Sequence, residues 1–334
     1  SDASHQSWVV SPLATYVGYG QTEIAALYPA LAKLLKPVFK CLSIVLRYCQ
    51  FDAIVAPNNW LVSTNLYGDW KGGGLKAVTA GLLQMHPKRA ICWRSVTPAF
   101  NQPLLDTMAQ AGYLLIPSRQ IWWVDPDVAS VWKHANVRRD LQLHLDQSMT
   151  WVQLNCAQAS ASDYAVITRL YGLLYLEKYS KLNPSYSAIG LEKMHALGIL
   201  DFWLMRQGDV VVGCLGFFAD DDVLTIPIVG YDTAISQASG LYRRLMIQAL
   251  VYAKAQKKRL HWSAGAPSFK RLRGAIPATE YSAVWIRHLP LRQRIAWHMV
   301  NVVCKRWVLQ NTFHPEKIFK RCQLRKLKVM KNWN

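Results

Sequence analysis

The sequence predicts a mixed α/β (α+β) fold of two similar units in tandem, followed by a basic helical tail. Three observations predict it. Short apolar, β-branched runs alternate with stretches of helical spacing along most of the chain. The second half orders as β-α-α-β-β-β-α-β-α-β over residues 151–288. The chain also echoes itself. Val17-Gly18-Tyr19 with Thr22 is matched by Val229-Gly230-Tyr231 with Thr233, and Leu27-Tyr28 with Leu31 by Leu241-Tyr242 with Leu245. The resulting organisation is a first unit at 1–130, a connector at 131–150, a second unit at 151–289 and the tail at 290–334.

In the first unit, residues 8–18 read as a strand ending at the Gly18-Tyr19-Gly20 turn. Residues 22–50 read as a long helical region broken at Pro37, whose ring removes an N–H and crowds the preceding turn. A short strand at 51–56 leads into a loop at 58–74 rich in Asn, Trp and Gly. Its Lys71-Gly72-Gly73-Gly74 run reads as an anion clamp or as a mobile surface loop. Helix 75–85, strand 89–95, helix 102–111 and strand 112–124 complete the unit. The charged segment 128–146 connects the halves.

The second unit reads as strand 151–157, helix 163–179, a turn at Asn183-Pro184, helix 187–197, and strands 199–206 and 210–218. An acidic turn at 220–222 follows, then strand 223–230, helix 240–256, strand 259–263, a short helix within 266–273 and strand 281–288.

An apolar share of 51% supports a sizeable core. The net charge of +19 favours polyanionic partners: nucleic acid, anionic membrane, an acidic carrier protein or a phosphate-rich cosubstrate. Seven scattered Cys without a CxxC, and nine His that do not cluster with them, argue against a zinc site and a disulfide framework. They fit a reducing, cytoplasmic setting. The opening SDASHQSW lacks the basic and apolar regions of a signal peptide. The most apolar helix, 31–49, is interrupted by Lys33, Lys36, Pro37, Lys40 and Arg47, so no membrane span is expected. From Arg287 onward twelve Lys or Arg accompany one acid, Glu316, while Leu291, Ile295, Met299, Val302 and Val303 trace an apolar helical stripe. Three readings of this tail stay open: a packing helix with a basic rim, a helix lying on an anionic membrane, or a holder of nucleic acid or acidic protein.

The strand–turn–helix at 223–256 is the centre of the reading. A strand feeding a helix through a loop of Thr, Ser, Gln and Gly leaves backbone N–H groups converging at the positive end of the helix dipole, a natural phosphate seat. A plain turn capped at Ser239 is the bland alternative. Gln237-Ala238-Ser239-Gly240-Leu241-Tyr242 resembles the Q/R-x-x-G-x-G/A pyrophosphate loop of the Gcn5-related N-acetyltransferase (GNAT) superfamily at its Gln and Gly. Tyr242 stands where that family has a small residue. Phe269-Lys270-Arg271-Leu272-Arg273-Gly274-Ala275 resembles the FKRKWGA-like segment of the FemABX-like transferases, tandem GNAT proteins with a reduced first copy. Residues 134–142 resemble their Arg-rich connector. The resemblance implies an acyltransferase that forms an amide by direct attack of an amine, with no permanently bound cofactor. Its donor is acyl-CoA or an acyl carrier protein thioester, with aminoacyl-tRNA as the Fem-type alternative. A non-catalytic basic binding protein on the same scaffold is the third reading.

Amide formation needs a polarised carbonyl, an amine that loses its proton, and near-attack placement. No covalent intermediate is required, so the lack of a Cys/His or Ser/His/Asp pattern is no obstacle. By the resemblance Lys270 is the candidate oxyanion stabiliser, and a solvated basic run is its alternative. Asp232 and Glu177 are candidate bases; they read also as a turn-former and as a helix-surface partner of Lys178 or Lys181. Val229, Tyr231, Gln237, Ser239, Gly240, Tyr242 and Arg243 are expected around the donor. Tyr175, Tyr179, Asn183, Tyr186 and Ser263 are expected around the acceptor. Tyr171, Tyr175 and Tyr179 share a helix face, which reads also as a core stripe.

Overall fold

The structure, a computed structural model, describes residues 7–22 and 29–313. Among the described residues nine strands form one mixed sheet: β1 (Ile54–Val55), β2 (Ala90–Val96), β3 (Leu114–Val124), β4 (Thr150–Gln153), β5 (Asp201–Gln207), β6 (Val210–Ala219), β7 (Val223–Tyr231), β8 (Arg259–His261) and β9 (Ile276–Trp285). Their spatial order is β1-β2-β9-β3-β8-β7-β6-β5-β4. The pairs β1–β2 and β7–β8 are parallel and the others antiparallel. The last strand therefore runs between two strands of the first half, with Ile91 opposite Trp285 on one side and Leu114 opposite Val284 on the other.

The helices are α1 (Pro29–Tyr48), α2 (Leu75–Met85), α3 (Pro98–Ala111), α4 (Ala129–Lys133), α5 (Ala135–Leu145), α6 (Ala161–Tyr171), α7 (Ala188–Ala196), α8 (Leu241–Ala255), α9 (Pro267–Arg271) and α10 (Leu291–Phe313). The chain of α6 continues as a π-helix over Gly172–Tyr179. Helices cover both faces of the sheet, so central strands bury successive residues and read as unbroken apolar runs. Ile228 packs with Ile167 and Leu170 of α6, and the next residue, Val229, with Leu245 and Ala249 of α8. In the first half Ala283 packs with Leu104 and Met108 of α3, and Val284 with Trp297 of α10. Among the described residues no helix is long and apolar enough to cross a membrane.

Three expectations change. Residues 8–18 form no strand: a turn over Trp8–Val10 enters a π-helix at Ala14–Tyr19. The cause is tertiary. Asp52 accepts from the Ser11 hydroxyl (2.9 Å) and the Leu13 N–H (2.8 Å), while Ser11 Oγ accepts from the Ala14 N–H (2.9 Å). A partner distant in sequence thus satisfies the first helical donors, and Gly18 sits inside a helix rather than at a turn. The α1 helix continues through Pro37. The expected helix 22–50 and the Leu27-Tyr28 half of the echo fall partly at 23–28, outside the described residues. Strand β9 starts at Ile276, earlier than the expected 281.

Candidate active site at the junction of the two halves

Two β-bulges flank β9 at one level. The register of β2 slips between Trp93 and Val96, where Ser95 adopts a left-handed φ of 65°. The register of β3 slips between Pro117 and Arg119. A bulge re-aims the side chains beside it. Here Arg94 and Arg119 turn onto one indole, with guanidinium carbons 5.2 and 4.9 Å from the centre of the Trp8 ring. Glu280, on β9 between them, accepts two bonds from Arg119, at 2.8 and 3.0 Å. His261 Nε2 lies 3.8 Å from the same carboxylate. Its Nδ1 is the acceptor facing the Ser263 N–H (3.2 Å), so the neutral ring carries its proton on Nε2, toward Glu280. Burial pulls the His261 pKa down to about 4, with Glu280 opposing.

These groups border a cavity of about 450 Å³. Trp8, Tyr16, Phe39, Ile54, Cys92 and Cys304 make its apolar wall, and Arg94, Arg119 and Glu280 its charged floor. Lys178-Tyr179-Ser180 and Ala264-Gly265 line it from the second half. Arg94 is 8% exposed and donates to Asn59 Oδ1 (2.9 Å). Among the described residues no carboxylate lies within ion-pairing distance of it. Burial lowers its pKa, with Glu280 opposing.

Lys270 stands beside this floor. Its Nζ donates to the carbonyls of Trp262 (2.5 Å), Ser263 (3.1 Å) and Ala264 (2.7 Å). Three acceptors match the three N–H of an ammonium, while burial, with Arg119 adding, pulls the pKa down to about 7. The side chain staples the loop that continues into the cavity wall. Ser263 is the bend of that loop, with φ 59°, and its carbonyl also accepts from the Trp122 N–H.

The tyrosines expected at donor and acceptor meet. Tyr175 stacks on Tyr171 (4.8 Å) and contacts Tyr179 edge-on (5.8 Å). Burial raises the Tyr242 phenol pKa, and the neighbouring Tyr175, Tyr179 and Tyr231 raise it further. Lys178 Nζ donates to Tyr231 Oη (3.3 Å). Asn183 ties the cluster to the cavity: its amide donates to the Tyr175 carbonyl (2.9 Å) and accepts from the Trp8 indole (3.1 Å). Tyr186 donates to the Leu61 carbonyl (3.1 Å).

Strand β8 ends at His261, so residues 226–231 of β7 pair within the sheet with β6 alone. A row of rings bridges the opening: Tyr231 to Tyr242 (6.4 Å), Tyr242 to Phe269 (5.0 Å) and Phe269 to Trp262 (6.4 Å). Val229 is buried in the core beside it. The turn before α8 closes on itself. Gly240, φ 67°, donates to the Gln237 carbonyl, and the Ser239 hydroxyl to the Ser236 carbonyl. A Cβ on Gly240 would lie 3.1 Å from Leu143, because α5 packs over the start of α8. Arg243 pairs with Asp140 (2.7 Å) and Arg244 with Asp146 (2.5 Å), so the protein's own carboxylates stand near the positive end of the helix. Asp232 accepts from the Ala234 N–H (3.0 Å) and lies 3.8 Å from Arg169. Glu177 is exposed, and neither carboxylate lines the cavity.

Sequence reasoning passed over Trp8, Arg94, Arg119, His261 and Glu280. A signal existed for three of them: Arg94 in AICWRSV, Arg119 in IPSRQIWWV and Glu280 in IPATEYSAVW are lone charges inside central strands, where unpaired charge is rarely buried.

No protein-family model matches the sequence, and no curated protein matches it. Among solved structures, the fold is similar to a C-terminal DUF2156 domain assigned to a lysylphosphatidylglycerol synthetase of Agrobacterium fabrum. The two share 11% identity over 69% of this chain and 77% of that one, with a TM-score of 0.50. It is similar as well to FemX, at 9% identity over 67% of this chain and 78% of that one, TM-score 0.50. A tandem GNAT protein from the clavulanic acid biosynthesis pathway aligns at 14% identity over 64% of this chain and 69% of that one, TM-score 0.39. The chain has a mixed α/β fold, similar to those of that DUF2156 domain and of FemX.

Proposed function

We propose that this protein is an aminoacyl transferase that takes its group from aminoacyl-tRNA and passes it to an amine acceptor, forming an amide. The carrying observation is the covered start of α8. A pyrophosphate seat of the GNAT kind needs open access to the backbone there, and Gly240 and Leu241 are buried, with Leu143 over Gly240 and Asp140 and Asp146 holding Arg243 and Arg244 beside it. The charge of +19 suits a tRNA donor, as does the likeness to FemX. The name of the other neighbour speaks of an aminoacylated product.

In this reading the acceptor occupies the cavity. Arg94 receives its anionic group, a carboxylate or phosphate, by charge-assisted hydrogen bonds. Glu280, oriented by Arg119 and His261, holds its amine. Lys270 is a positioning residue that keeps Ser263 and Ala264 against the cavity. Transfer takes place where the Tyr175, Tyr179, Tyr231 and Tyr242 cluster meets this floor, and residues 151–289 are the catalytic part. The thioester donor remains a second reading, favoured by Gln237 and by the left-handed Gly240 that opens α8.

Thermal unfolding with added ligands separates the two. Deacylated tRNA at about a hundred times its Kd is expected to stabilise by about 2.7 kcal/mol, a Tm rise of a few degrees that fades steeply with salt. A shift with millimolar coenzyme A and none with tRNA overturns the proposed donor. A response to neither points to the non-catalytic binding protein.

A further inference from the structure

We propose that the outer faces of α1 and α10 form a docking surface for an anionic lipid bilayer. On α1, Leu34, Val38, Val45 and Tyr48 follow helical spacing and are 72, 57, 50 and 71% exposed. On α10, the stripe Leu291, Ile295, Met299, Val302 and Val303 faces solvent, at 67, 57, 39, 59 and 60%, while Ala296, Trp297 and Val300 on the opposite side fill the core. A helix apolar on both sides has one face left to cover. The two helices adjoin: Arg292 lies over the Tyr48 ring (5.3 Å), and Trp297 packs on Phe51 just past the end of α1 (4.0 Å).

Charge selects the occupant. Neither helix contains an Asp or Glu, and Lys33, Lys36, Lys40, Arg47, Arg294 and Lys305 are exposed on them. Basic side chains beside an aliphatic stripe match an interface that offers anionic headgroups and acyl chains at one depth. RNA would satisfy the charges and leave the aliphatic faces in water. The cavity continues this surface. Phe39 of α1 and Val303 and Cys304 of α10 line it, and exposed Val303 marks its mouth. A molecule held at the bilayer surface reaches that mouth without passing through bulk water.

Co-sedimentation of the full chain with vesicles tests this, without reference to transfer activity. Vesicles of phosphatidylcholine with an equal share of phosphatidylglycerol are expected to pellet the protein, and pure phosphatidylcholine vesicles to leave it in solution. The double variant Val38→Asp/Val302→Asp alters two exposed positions, so its melting curve should match the parent while its vesicle affinity falls at least about tenfold, some 1.4 kcal/mol. Leu197→Asp, equally exposed but remote from both helices in sequence, should bind as the parent does. Absence of binding to the anionic vesicles overturns the proposal, as does equal binding by the double variant. A parent dimer that the double variant splits, seen by light scattering, would show that the face joins two copies instead.

Discussion

Arg94 stands buried at the cavity floor with an amide and an indole as neighbours and, among the described residues, no carboxylate in pairing range. A buried charge in that condition usually waits for a counter-ion. Arg94→Met keeps the aliphatic stem and removes the charge. Its KM for the acceptor is expected to rise at least about tenfold, the worth of one charge-assisted hydrogen bond, with Tm unchanged or higher. Arg94→Lys should fall between, since an ammonium cannot offer the planar fork. Steady-state kinetics beside a melting curve decides: a lower Tm with an unaltered KM would make Arg94 a structural residue. The charge itself was legible in the sequence as a lone Arg within AICWRSV. Its direction was not, because the bulge that turns it depends on β9, whose residues lie far along the chain.

Among the elements, α6 and its π-helical continuation set the geometry of the site. Gly230, next to last in β7, lies directly beneath them: a Cβ there would lie 2.6 Å from Leu170 C and Tyr171 N, backbone atoms that cannot swing aside. Gly230→Ala is therefore expected to destabilise by about 1–3 kcal/mol, an overpacking cost, read as a lower urea midpoint. Gly18, its counterpart in the internal echo, is crowded by Leu182 Cδ1 at 2.8 Å from the same region. The two glycines are thus both closely packed although one lies in a strand and the other in a π-helix. Sequence periodicity located β5, β6, β7 and α8 within a residue or two, since each is long and uniformly patterned. It misread residues 8–18, where apolar alternation stands for a strand and the Asp52 carboxylate decides for a helix. It also broke α1 at Pro37, where the helix runs on. The tyrosine row was legible from its spacing, and its meeting with Tyr231 and Tyr242 was not, because that contact joins three elements.

For the molecule as a whole, the boundary at 131–150 is a proposal about roles more than about folding. Residues 1–130 supply Trp8, Arg94 and Arg119, and the remainder supplies Glu280, His261 and Lys270, so neither part holds a complete floor. Strand β9 also lies between β2 and β3. A fragment of residues 1–130 is expected to aggregate or stay unfolded, with two bare strand edges, and the full chain to unfold in one calorimetric transition. A monomeric 1–130 fragment with a cooperative melt would contradict this. The same insertion has a consequence during synthesis. About 150 residues separate the end of β3 from the start of β9, which a ribosome covers in roughly 8 to 30 s. Throughout that interval β2 and β3 have emerged without the strand that joins them. The nascent chain is then most open to wrong strand pairing, and its sheet closes only once β9 has emerged.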